Sequence, residues 1–159
     1  MQSFVLRAAT CGSVLLLTLT PAIAQQQPQH AMVNAADVTW KDGPPSLPKG
    51  SQFSVLYGDP GKDGIFVMRL KFPADYRIPP HTHPADEVVT VVSGAVNFGM
   101  GATFDPAKTT AVSAGGVVAM PPGMQHYVQV GQETVVQLSS RGPWNIAYVN
   151  PADDPRKSQ

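Results

Sequence analysis

Cysteine is almost missing from this sequence. The single one, Cys11, precedes the apolar run near the start, whereas a lipid-anchored protein carries its cysteine just after such a run, so lipid anchoring is not expected. Long apolar stretches are missing too. The one run, through Val14, Leu15, Leu16, Leu17 and Leu19, falls short of the roughly 20 residues that cross a bilayer, and Pro21 breaks the chain just beyond it. Arg7 stands before this run and the small residues Ala22 and Ala24 after it, so residues 1–24 read as a cleavable export signal with cleavage before Gln25. There is no twin-arginine pair, so the chain is expected to cross the membrane unfolded and to work in the periplasm or outside the cell. The mature part has no cysteine at all. It must be stable in an oxidising compartment without disulfides, and its length allows one adequate core.

An excess of either charge is lacking as well. Lys and Arg number 11 and Asp and Glu number 11, and losing Arg7 with the signal leaves a small acidic surplus. No basic patch is interleaved with aromatic residues, so nucleic acid is not an expected partner. Helical periodicity is absent after Ser51, where glycine and proline recur often and β-branched residues dominate the apolar positions.

What is present is a succession of short apolar runs. Residues 25–50 read as an extended or flexible leading segment, first Gln-rich and then carrying Pro44, Pro45 and Pro48, and residues 151–159 read as a polar tail. Between them, residues 51–150 hold strand-length runs at 53–57, 65–72, 87–92, 95–100, 117–120, 126–130, 134–138 and 145–149, separated by Gly, Pro and Asp clusters. The runs 87–92 and 95–100, broken at Ser93-Gly94, read as a hairpin. The whole pattern implies an all-β antiparallel sandwich or barrel.

Three of the four histidines fall in two places, His81-Thr82-His83 and His126, while His30 reads as a surface residue of the polar lead. Residues two apart on an extended segment point to one side, so His81 and His83 can face one point, and Glu87 shares their parity. Neutral imidazoles with one carboxylate are the donors that a first-row divalent metal takes. Pro79, Pro80 and Pro84 stiffen the segment around the pair, and Pro121-Pro122-Gly123 turns the chain shortly before His126. One ion per chain is expected, held by His81, His83, Glu87 and His126; manganese, iron, copper and zinc all fit the donors. Phe98, Met100, Met120, Tyr127, Gln137, Trp144 and Tyr148 are candidates for lining a cavity, by parity or strand position, although core packing is the commoner role of such residues. Asp86 lies on the face opposite Glu87, and Arg69 and Arg77 could bind an anionic substrate, although surface pairing is the commoner role.

At these residues the chain resembles the cupin superfamily, small jelly-roll β-barrels with two signature motifs. His81, His83, Glu87 and Gly94 match the first motif, with Asp75 standing where the pattern begins with Gly; Gly115, Pro121, Gly123 and His126 match the second, with Val130 in place of its final Asn. Neither departure touches a ligand position. The resemblance implies an antiparallel jelly-roll barrel with a metal site, and it does not choose among enzymes, sugar binders and sensors. Two readings remain open: a metal-dependent oxidoreductase or Lewis-acid isomerase acting on a small molecule, with an enol, catechol or flavonoid-like compound as substrate, or a non-catalytic module that binds a small molecule. The expected partner is that small molecule, with a homodimer left open, and no membrane once the signal is removed.

Overall fold

The computed structural model describes residues 30–157. The export signal expected over residues 1–24 lies outside the described residues. Strands β3 (Gly64–Phe72) and β10 (Thr134–Gly142) show why the chain folds into two layers. Along β3 every second residue, Phe66, Met68, Leu70 and Phe72, is buried, and along β10 Val136 and Leu138 follow the same alternation. The two strands pair antiparallel from end to end, so one face of the pair is apolar and needs a cover.

A second sheet provides that cover. The larger sheet has the order β1 (Lys41–Asp42), β2 (Gln52–Tyr57), β3, β10, β5 (Glu87–Ser93) and β8 (Val117–Met120). The smaller runs β11 (Ala147–Tyr148), β4 (Arg77–Thr82), β9 (His126–Gln129), β6 (Ala95–Met100) and β7 (Thr109–Ser113). Pairing is antiparallel throughout, and the chain repeatedly passes from one sheet to the other. This is the jelly-roll barrel that the strand pattern and the motifs predict. Short 3-10 turns are the only helical elements among the described residues, and none is long or apolar enough to cross a membrane.

Three expectations change. The runs at 87–92 and 95–100 do not form a hairpin: β5 pairs with β10 and β8, whereas β6 pairs with β9 and β7. The chain switches sheets at Gly94, whose φ is 76° and where an added Cβ would lie 2.5 Å from the Thr134 hydroxyl, so the turn admits no side chain. The second change is β4, a strand that runs through Pro79 and Pro80. Proline has no N–H for the ladder, and the β4–β9 register accordingly shifts between Ile78 and His81.

The third change is in the leading segment. Residues 41–50 are docked, with a turn closed by Leu47 N–H to Pro44 O at 2.9 Å: β1 pairs with β2, Gly43 N–H donates to Ser51 O at 2.8 Å, and Leu47 packs on the core. Tyr148 Oη donates to Ser46 O at 2.8 Å and Tyr76 Oη donates to Pro48 O. The folded unit thus begins before Ser51. The tail also folds back, since Arg156 donates to the carbonyl of Ile146 at 3.1 Å.

Candidate metal centre

The three histidines predicted from sequence are brought together. His81 on β4 and His126 on β9 are direct cross-strand partners, so their side chains leave the same face of the smaller sheet side by side. His83 follows two residues after His81, and its carbonyl accepts the N–H of Gly123 at 2.9 Å, which ties the Pro121-Pro122-Gly123 turn to the first histidine pair. Glu87 comes from the other sheet, at the first position of β5. All four are buried, with His81 and His126 exposing 2% and 1% of their surface.

The ring orientations are set by backbone carbonyls. Nδ1 of His81 donates to Pro79 O at 2.7 Å, that of His83 to Asn145 O at 2.8 Å and that of His126 to Met124 O at 3.0 Å. A neutral ring whose Nδ1 carries the proton has a bare lone pair on Nε2. Burial holds the imidazole of His81 well below the ordinary histidine range, with His126 and His83 adding to it, and burial lowers His83 too, against the pull of Glu87. The neutral forms are therefore the favoured ones at these two rings.

The ligand-capable nitrogens of the three rings lie within 4.8 Å of one another. Glu87 closes the cluster, with Oε2 3.2 Å from Nε2 of His126 and Oε1 3.6 Å from Nε2 of His83. Nε2 of His83 is buried and has no hydrogen-bond partner among the described residues. A lone pair facing a carboxylate is acceptor against acceptor, which is unfavourable unless a cation stands between them. The donors therefore fit a divalent transition metal on their own chemistry.

The cluster lines a cavity of about 230 Å³ whose other walls are largely apolar. Phe98 and Trp144, two of the seven cavity candidates, line it; Trp144 also stacks on His83 with ring centroids 4.0 Å apart. The other five do not. Met100 is exposed, Gln137 points outward between the inward-facing Val136 and Leu138, and Met120 belongs to the core. Tyr127 faces away from the cavity, donating to Asp105 O at 2.9 Å, and Tyr148 holds the docked segment 41–50, the strap, at Ser46. Asp86 is exposed as expected, and His30 is exposed in the lead. The contributions of Leu47 and Ile146 to the cavity wall have no local signal in the sequence, because they depend on how the connections fold over the barrel.

Asp75 and Val130, the two departures from the motifs, are explained by the backbone. Asp75 has φ 61°, the left-handed conformation for which glycine is the usual choice and which aspartate tolerates. Val130 is fully buried, and its N–H donates to Tyr76 O at 3.0 Å.

With this geometry in place, comparison with known proteins agrees with the fold and the motifs. The family model described as the cupin domain matches residues 68–139, the stretch that holds both motifs. Germin-like protein 5-1 of Oryza sativa subsp. japonica is 33% identical over 78 residues, which cover 48% of this chain and 35% of that one. The matched stretch spans about a third of the length of such curated relatives. Among solved structures, the polyketide cyclase RemF from Streptomyces resistomycificus superposes with a TM-score of 0.65 at 19% identity, covering 81% of this chain and 92% of that one. KdgF from Halomonas sp. superposes with a TM-score of 0.55 at 20% identity, covering 72% and 96%. Residues 68–139 are a cupin domain.

Proposed function

We propose that this chain is an exported metalloenzyme acting on a small molecule, with His81, His83, Glu87 and His126 holding one divalent transition metal, whether manganese, iron, copper or zinc. The observation that carries this reading is the buried, unpartnered Nε2 of His83 facing the Glu87 carboxylate at 3.6 Å within the three-histidine cluster. A metal held by three imidazoles and one carboxylate supplies Lewis acidity or, where it is redox-active, oxygen chemistry, and its open positions take the substrate. The protein residues supply the rest. Carbonyl bonds at all three Nδ1 atoms keep the rings aimed inward without further reorganisation. Glu87 is the one ligand with a proton-accepting oxygen to offer if it loosens, and the walls around it are largely apolar.

A binding module is the second reading. It draws support from the cavity lining, which among the described residues includes no acid or base besides the four proposed ligands. Reconstituting metal-free protein with each ion separately, followed by a substrate screen with oxygen uptake, divides the two. Turnover that follows the manganese, iron or copper content, with zinc inactive, supports the oxidoreductase. Equal turnover with zinc replaces it with a Lewis-acid isomerase or hydrolase, and ligand binding without turnover for any ion supports the binding module.

A further inference from the structure

We infer that Arg156, on the C-terminal tail, is a positioning residue for the metal centre, holding in place the carbonyl that orients the His83 ring; this role rests on the reading of the site as a metal centre. The three rings are not held alike. His81 and His126 donate to Pro79 O and Met124 O, each two positions earlier, so ring and acceptor share one stretch of backbone. His83 donates to Asn145 O at 2.8 Å, 62 positions away. Asn145 lies between β10, which ends at Gly142, and β11, which begins at Ala147, so its carbonyl stands outside the strand ladders. Other contacts must set its position. An acceptor that drifts lets the ring turn, and with it the nitrogen offered to the metal.

The neighbours of Asn145 are gripped from two sides. Trp144 N–H donates to Pro60 O at 2.7 Å, and its indole stacks on His83. Across from it stands Arg156. Its Nη1 donates to Asn145 Oδ1 at 3.3 Å and its Nη2 to Ile146 O at 3.1 Å, so one guanidinium holds the residue whose carbonyl meets His83 and the residue after it. Asp154 aims that guanidinium, accepting from Nε at 2.7 Å and from Nη2 at 2.8 Å, a two-pronged pairing that fixes the plane of the group. Arg156 leaves 38% of its side chain in solvent, and an ion pair at such exposure adds little to folding stability. The arrangement is matched to setting a geometry more than to holding the fold together. The tail expected from sequence as a plain polar end thus reaches the site through one turn and one carbonyl.

Zinc affinity, measured by competition with a chelator, tests this together with urea unfolding of the metal-free protein. Losing a direct partner of a metal ligand costs about 10–100-fold in affinity; Arg156 acts one link further out, so Arg156→Ala should lose about three- to tenfold while the urea midpoint stays near that of wild type. Asn145→Ala keeps the carbonyl but removes Oδ1, and should lose less. In the double variant the two losses should not add, since both break one link. Copper(II)-loaded Arg156→Ala should also show an altered electron paramagnetic resonance spectrum, the mark of a displaced nitrogen ligand. If wild-type protein binds no zinc, the metal reading falls and the positioning role with it. If it binds, and Arg156→Ala matches wild type in affinity or in copper spectrum, whatever its urea midpoint, Arg156 is a structural tie only; the metal reading stands and the positioning role is overturned. Additive losses overturn it too, by separating Arg156 from Asn145. Should Arg156→Ala not fold, Asn145→Ala, a change at an exposed position, decides alone by the same two measurements.

Discussion

At the strap, buried hydroxyls end on carbonyls: Tyr148 donates to Ser46 and Tyr76 to Pro48. A short distance along the chain, equally buried imidazoles have their Nδ1 atoms satisfied and their Nε2 atoms aimed at one another and at a carboxylate. Both regions bury polar groups. Only the strap completes its hydrogen bonds from within the chain, as buried polar groups ordinarily do. The histidine cluster is incomplete by the same standard, so its donors are arranged for something the chain does not itself contain. The strap should therefore contribute to stability unaided, whereas the cluster should contribute only with its ion.

The largest expected effect comes from removing the cross-strand pair. His81→Ala/His126→Ala should abolish metal binding, and His83→Ala should leave it weak or absent. Elemental analysis of purified protein measures this, and full occupancy in the double variant would sink the assignment. Next comes the ion. Anything that binds only the folded state stabilises it by RT ln(1 + [L]/Kd), about 4 kcal/mol at a thousandfold excess over Kd. Chelation should lower the melting temperature by several degrees, and an unchanged melting curve in verified metal-free protein would contradict a site that forms only in the fold.

Glu87→Gln sharpens the contrast because two measurements should move in opposite directions. An amide at this position can donate to the unpartnered Nε2 of His83, which the carboxylate faces at 3.6 Å. Metal-free protein should gain stability, by about 1 kcal/mol for a newly made buried hydrogen bond, while metal affinity drops tenfold or more with the lost charge. Denaturant unfolding of the metal-free form and metal titration give the two numbers. Loss of stability in the metal-free variant would show that Glu87 and the rings are already satisfied without an ion.

The cluster is legible in sequence because its parts obey local rules. Two residues apart on an extended segment means one face, which places His81 and His83 together, while Glu87 shares their parity but reaches the site from the other sheet. His126 is farther along, but the Pro121-Pro122-Gly123 turn announces the strand it starts. The failures share a different cause. Local pattern cannot tell which sheet a strand joins, so the break at Ser93-Gly94 looks like a hairpin turn when it is a crossing between sheets. The prolines at 79 and 80 hide β4 because a shifted register, which accommodates them, has no mark in the sequence. The docking of residues 41–50 depends on tyrosines 28 and 102 positions away from their carbonyl partners, and on no local signal at all. The carbonyls that orient the rings are invisible in sequence for a simpler reason: every residue has one.

The smallest effect is expected at the strap, and pH reveals it. Burial pushes the Tyr76 phenol up to about 12 and raises that of Tyr148 as well, so both keep their protons in the folded protein where an unfolded tyrosine, with a value of about 10, loses them. A folded value above the unfolded one gives stability that is complete below about pH 10 and lost as pH rises through about 12. Tyr148→Phe should cost about 1 kcal/mol at neutral pH, the usual worth of one hydrogen bond to a carbonyl. Tyr76→Phe/Tyr148→Phe should in addition flatten the alkaline decline, because the groups whose ionisation drives it are gone. Urea midpoints measured at intervals from neutral to strongly alkaline pH give both quantities on the same protein. A double variant that is weaker at neutral pH but declines as steeply as wild type would place the alkaline sensitivity elsewhere, and leave the strap held by the packing of Leu47 on the core.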